Sequence, residues 1–357
     1  LGIVCFSLIL LVVLSSLTYS ESVFYAYDKA LRYAFITGWS FIGVILLLKD
    51  RESLKRFVVC ILIISLGMAA SSFLLINAGG TQHSDYLANY ANVGRAAGVG
   101  LLILTTLSFY SKTSFAVKTA SIVLFFLLLI SIGVSGVRMP LITVLVLFVA
   151  LFVSSFRIRK LTIEYYSGIR WLIAIVLIAL APLFFLSKSD IFSRSVLRFQ
   201  TLSQMSSNYD PTGRVDRYLT ALEMWKHNFL TGEGIGSFAI FYAGIDHADY
   251  PHNILLEFLA ELGIVGLFLF VLTISLSFFF ILKTVRFNKE NRPLNLAVLM
   301  AFAYYFLNAN VTGDINDNKI LFAFIAIGFI LPDIQAFTSN KSKRNKHKEQ
   351  IGRTIVI

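Results

Sequence analysis

The chain has 357 residues, 57% of them hydrophobic and only 14% charged, and its mean hydropathy is +0.76. A water-soluble domain carries roughly a quarter charged residues, so this chain cannot cover itself with polar groups in water and the bilayer must be its solvent. The net charge of +11 does not mark a nucleic-acid binder, because most of it lies in short links and a terminal tail beside anionic headgroups.

Apolar runs long enough to cross ~30 Å of hydrocarbon recur along the chain. They are continuous rather than alternating, which predicts helices rather than a β-barrel. Spans are expected near 2–19, 31–48, 57–76, 93–110, 115–134, 139–156 and 170–187, and then near 253–282, 294–311 and 319–336. The expected fold is therefore an all-α polytopic transmembrane bundle of about ten spans. Seven spans fill 1–187, a long extracytoplasmic loop runs over 188–252, three spans fill 253–336, and 337–357 is a basic tail, read as disordered and cytoplasmic. The chain opens at Leu1 in mid-run with no basic n-region, which is not a signal-peptide pattern. It suggests that residues, even whole spans, precede this numbering. Cys5 and Cys60 lie in or beside spans with no disulfide or metal-site spacing.

Lysine and arginine set the orientation. One set of connections carries Lys49, Arg51, Lys55 and Arg56, then Lys112 and Lys118, then Arg157, Arg159, Lys160 and Arg170, then Lys283, Arg286, Lys289 and Arg292, and the tail adds six more. The short connections on the other side hold only Lys29, Arg32, Arg95, Arg138 and Lys319. Both ends of the visible chain are thus expected in the cytoplasm, and the long loop outside.

Within that loop Val215, Tyr218, Leu219, Leu222, Trp225 and Phe229 recur at helical spacing, with Asp210-Pro211 or Thr212 as a start signal. This predicts an amphipathic helix at the membrane interface with Arg214 and Arg217 near its start. The glycine-rich Thr231–Ser237 turn has neither a preceding strand nor a following Lys-Ser/Thr, so it is not a nucleotide P-loop. Next, Tyr250-Pro-His-Asn253 runs into the eighth span, with Pro251 expected in its first turn and His252 at its outer end. Asn253, Glu257 and Glu261 share one helix face. Carboxylates in a membrane helix seldom face lipid, so this stripe should line an interior or a wet cavity. The helix N-terminus and nearby arginines disfavour an imidazolium, leaving His252 neutral and fit to act as a general base. Arg95 and Arg138 end up on the same expected side of the membrane as Arg214 and Arg217. Such a guanidinium cluster suits a phosphate or diphosphate.

Three blocks carry a family resemblance. They are Ser135-Gly-Val-Arg138 before an apolar helix; Thr212-Gly-Arg214 with Ala221, Trp225 and Gly232-Glu-Gly234; and Pro251-His-Asn253 through Glu261-Leu-Gly263 and Gly266. In their order and spacing they resemble the O-antigen ligase and polymerase family, the bacterial inner-membrane glycosyltransferases that use undecaprenyl-diphosphate-linked glycans. The resemblance implies a metal-independent transfer of the glycan to an acceptor hydroxyl, with no cofactor. Arg138 and Arg214 would hold the diphosphate, and the guanidinium cluster read above adds Arg217 and Arg95 to them. His252 would take the acceptor's proton, and Asn253, Glu257 and Tyr250 would orient it or the sugar. The implied partners are the lipid-linked glycan, a lipid-linked or lipid A-core acceptor, membrane lipids, and chain-length regulator or flippase proteins, without nucleic acid. Two departures stand out. Met139-Pro140 follows the arginine where the family often has small residues, and members commonly have around twelve spans, which two missing N-terminal spans would reconcile.

The acceptor is not written in the residues. A polymerase extending an O-antigen is the leading expectation, with ligation to lipid A-core or protein glycosylation second. A small-anion transporter is the rival from another class, although no internal repeat or matched pair of broken spans supports it. Asp246, His247, Asp249 and His252 also admit a metal site, against which stands ordinary loop polarity.

Overall fold

The computed structural model describes residues 1–77, 84–111, 113–154, 156–159, 162–165, 213–288 and 291–336. The expected span at 170–187, the Asp210–Thr212 start signal and the tail after 336 lie outside these residues. The other nine expected spans each coincide with a helix. In chain order these are α1 (Gly2–Ser16), α2 (Tyr25–Leu47), α3 (Arg51–Asn77), α4 (Ser84–Phe109), α5 (Phe115–Ser135), α6 (Arg138–Ser154), α9 (Ile254–Phe287), α10 (Arg292–Ala309) and α11 (Lys319–Ala336). Between α6 and α9 lie α7 (Arg214–His227) and α8 (Phe238–Ala243). Six of these helices contain a stretch long and apolar enough to cross a membrane. The protein is a polytopic helical membrane protein.

Two details depart from the all-α expectation of unbroken spans. Beyond α6 the chain forms an antiparallel hairpin of β1 (Phe156–Arg159) and β2 (Thr162–Tyr165). Phe-Arg-Ile-Arg and Thr-Ile-Glu-Tyr alternate with the strand period, and the register sets Arg157 opposite Glu164. The second departure is larger. The eighth span is broken at Gly263, whose φ of 64° and ψ of −165° suit glycine alone. Phe258 and Phe270, on either side of the break, stack at 4.2 Å, which a straight helix rising about 1.5 Å per residue would forbid.

A broken helix exposes backbone groups that lipid cannot satisfy. Here the glycine-rich turn supplies the partners. The N–H groups of Glu233 and Gly234 donate to the carbonyls of Ala260 and Glu261 at 3.0 and 2.9 Å. In return the N–H groups of Ile264 and Val265 donate to the carbonyls of Phe229 and Leu230 at 3.0 and 3.3 Å. The turn is also tied to the α1–α2 link, since Ser20 Oγ donates to the Ile235 carbonyl and the Ile235 N–H donates to Ser16 Oγ. A Cβ at Gly263 would lie 2.6 Å from the Gly232 nitrogen. Gly263→Ala is therefore expected to cost more than the roughly 1–3 kcal/mol of backbone strain alone, read as a lowered melting temperature of the solubilised protein.

The chain divides into two compact units. The first gathers the described residues of 1–57, 217–291 and 313–357. At its core Phe6 of α1 stacks on Tyr33 and Phe41 of α2 at 5.5 and 4.7 Å and meets Phe322 of α11 edge-on. The second comprises the described residues of 58–216 and 292–312. Its central helix is α4, where Gly94 faces Ser135 and Val137, Gly98 faces the Tyr304 ring, and Gly100 faces Ser65 and Leu128. Such small residues let helix backbones approach closely where lipid gives no hydrophobic drive to association.

Candidate functional site

In the first unit the site is built on the loop ahead of α9. Asp246 lies under the start of α2, where its carboxylate accepts the Ser22 hydroxyl at 2.7 Å and the backbone N–H groups of Val23, Phe24 and Tyr25 at 2.9, 2.9 and 3.3 Å. Desolvation opposes ionisation, but these donors together hold the Asp246 carboxyl below its ordinary range. A depressed carboxyl stabilises the fold above the unfolded-state value and loses that contribution as pH falls through the folded one. Asp246→Ala should thus lower the melting temperature at neutral pH, through the loss of about 1–2 kcal/mol of stability, the scale of a lost helix cap. The gap between variant and wild type should close in acid.

Asp249 fixes the next turn. It pairs with Arg217 at 2.9 Å and accepts the Tyr250 N–H at 2.8 Å, while the Arg217 guanidinium stacks over the Tyr242 ring at 4.5 Å. Arg217 thus holds the turn that carries His252. Asp246 and Asp249 are both spent on the fold, and His247 Nδ1 lies 3.0 Å from the Ile245 carbonyl oxygen. Among the described residues no three His, Cys, Asp or Glu side chains are arranged to share a metal ion.

His252 itself has a φ of 59°, alone among the described non-glycine residues in being positive. That conformation costs a side-chain-bearing residue roughly 1–2 kcal/mol, and such strain concentrates at working sites. The imidazole is half-buried and meets the Tyr250 ring edge-on at 4.6 Å. Tyr250 Oη reaches Asp317 at 3.4 Å, and burial, aided by that carboxylate, raises the phenol's pKa so that it stays a proton donor. Pro251 was expected in the first turn of the helix; it stands before the cap instead. Asn253 is the N-cap, and its Oδ1 accepts the N–H groups of Leu255 and Leu256 at 3.0 and 3.1 Å. Asparagine is among the strongest N-caps, and the positive φ of His252 turns the chain just ahead of it.

The carboxylate stripe points inward. Glu257 and Glu261 have no exposed surface, and both meet Lys29 of α2, itself fully buried, at 2.6 and 2.7 Å. Asp314 borders the group, with Tyr25 Oη at 3.4 Å and Arg32 at 3.8 Å. Sequence reasoning read Lys29 as an ordinary link residue and missed Asp314. A signal for Lys29 was present, because Ala26, Lys29, Ala30, Tyr33 and Thr37 recur at helical spacing and all are buried.

In α7 the packing face is Ala221 and Met224, set against Phe238 and Ala260. Val215 and Leu219 of the expected apolar stripe are more than half or half exposed, as are Phe229 and Leu230 just beyond the helix, and Trp225 is half-buried. Tyr218 and Leu222 are half-buried too, so the stripe is only partly turned away from the rest of the protein. Arg214 opens this helix.

In the second unit Gly136, in the left-handed conformation, ends α5, and Arg138 is the first residue of α6, half-buried. Gly94 packs on Ser135 and Val137, which brings α4 against this turn beside Arg95. Arg95 Nε is buried without a hydrogen-bond partner among the described residues. The five residues expected from the sequence as base and anion ligands are thus divided, with Arg217 and His252 in one unit and Arg95, Arg138 and Arg214 in the other.

Residues 123–271 match the model of a family described as O-antigen ligase. No curated protein matches the chain.

Proposed function

We propose that the protein is a glycosyltransferase moving a glycan from undecaprenyl diphosphate to an acceptor hydroxyl, supported by the match of residues 123–271 to the model of a family described as O-antigen ligase. What carries the reading is that this one segment contains Arg138, Arg214, Arg217 and His252. His252 takes the proton of the acceptor hydroxyl as its oxygen bonds to the anomeric carbon. The bond from that carbon to the diphosphate oxygen breaks, and the electron pair leaves with the diphosphate. Arg138 and Arg214, with Arg95, hold the diphosphate and offset its growing charge, the part a metal plays in other transferases. Arg217 positions His252 through Asp249, and the Tyr250 hydroxyl donates to acceptor or sugar. Asn253 supports His252 as the helix cap. The bias of lysine and arginine among the links supports a site facing the exterior of the inner membrane, with both visible termini in the cytoplasm.

The acceptor of the leading reading is a further lipid-linked repeat, making the protein a polymerase. The family's description as a ligase favours a second reading, transfer of finished polymer to lipid A-core. A lipopolysaccharide gel of a deletion strain separates them. A core bearing a single repeat indicates the polymerase, and complete loss of capped chains the ligase. An unchanged ladder overturns both.

A further inference from the structure

The interior of the first unit holds an excess of carboxyl groups. Glu257 and Glu261 come from α9 and Asp314 from the turn ahead of α11, and facing them from α2 are Lys29, Arg32 and the Tyr25 phenol. Lys29, Glu257 and Glu261 are 0% exposed and Asp314 is 1%. With every acid ionised, these described residues would carry three negative charges against two positive ones, and of the two cations only Lys29 is fully buried, Arg32 being 32% exposed and paired as well with the exposed Asp28. Burying an uncompensated charge is among the costliest arrangements a protein can adopt.

The hydrogen bonds identify which acid differs. Both oxygens of Glu261 lie close to Lys29 Nζ, at 2.8 and 2.7 Å, and the Gly236 N–H also donates to this carboxylate. That is how an ionised carboxylate is satisfied. Glu257 is lopsided. Its Oε1 accepts from Lys29 at 2.6 Å and from the Ile315 N–H at 3.3 Å, whereas its buried Oε2 meets no hydrogen-bond partner among the described residues. If Glu257 were ionised, that oxygen would hold buried, unpaired negative charge, which costs far more than a buried hydroxyl.

We propose that Glu257 is a buried proton-binding site, holding one proton on Oε2. Lys29 then serves as the counter-ion of Glu261 alone. Because Glu261 also receives the Gly236 N–H, the proton on Glu257 keeps the Lys29–Glu261 clamp on the helix break and on the glycine-rich turn that closes it. Loss of the proton sets two carboxylates competing for one ammonium, so the clamp loosens as pH rises. Asp314 stands within electrostatic reach of Glu257, and its carboxylate adds to the crowding of negative charge. The proposal is independent of the glycan-transfer reading.

Infrared spectroscopy of the full chain in lipid nanodiscs at neutral pH provides the test. A carbonyl band of a protonated carboxylic acid is expected in the wild type and is lost in Glu257→Gln. Absence of the band from the wild type, or its survival in Glu257→Gln, overturns the proposal. Melting temperatures give a second route that does not need the single glutamine variant. Lys29→Met should melt far below the wild type, and adding Glu261→Gln should recover most of the loss, because it removes the charge left unpaired. Adding Glu257→Gln should recover little. Equal recovery from both, or greater recovery from Glu257→Gln, overturns the assignment.

Discussion

Replacing His252 with alanine is expected to abolish glycan transfer while leaving a folded protein in the membrane. A positioned general base contributes roughly 10²–10⁴-fold to a rate, so the loss should approach that range even with donor and acceptor still bound. The fold should survive because the elements around His252 are held by other side chains. The helix behind it is capped by Asn253, the turn ahead of it is fixed by Arg217 and Asp249, and the break below it is closed by the glycine-rich turn. The measurement is polymer formation on a lipopolysaccharide gel alongside a melting curve of the purified variant. Wild-type polymer from the alanine protein would remove His252 from the chemistry. Lost polymer with a collapsed melting curve would point instead to the backbone at φ 59°, and His252→Asn, which tolerates that conformation better, would then separate geometry from proton transfer.

The spans were readable because the bilayer demands continuous apolar runs and the chain supplies them. The break in the eighth span was visible only as Gly263 and Gly266 within an apolar run. What closes it comes from Phe229–Gly234, and no local pattern announces a partner so far along the chain. Asp246 was missed for the same reason. Capping rules look at the residues beside a helix, and the acid beneath α2 arrives from the opposite part of the sequence. The faces of α7 show a different limit. In water the large apolar side chains would mark the packed face, but at a membrane they mark the lipid side as readily, and the face that packs is the modest pair Ala221 and Met224. Lys29 was passed over because a lysine near a span end normally snorkels toward headgroups. Its burial follows from two glutamates one turn apart on α9, which the stripe of Glu257 and Glu261 had already turned inward.

Arg138→Lys should cut turnover by roughly 10²-fold, the scale of losing one group that stabilises developing negative charge, even though the formal charge is kept. The reason is geometric. A guanidinium offers a planar fork that grips two oxygens of a diphosphate at once, whereas an ammonium is a point charge with freely turning donors. Arg138 is well placed to supply such a fork from fixed backbone, since it is the first residue of α6, held behind the left-handed Gly136 turn and braced by Gly94 against Ser135. If Arg138 only reached for the headgroups, lysine would do that equally well, and turnover would be unchanged. Initial rates with a lipid-diphosphate donor distinguish the two. A fall in turnover with little change in donor KM means that the fork acts on the departing diphosphate, because an interaction made only as charge develops lowers the rate without weakening ground-state binding. A rise in KM alone assigns Arg138 to holding the donor, and no change in either returns it to the interface.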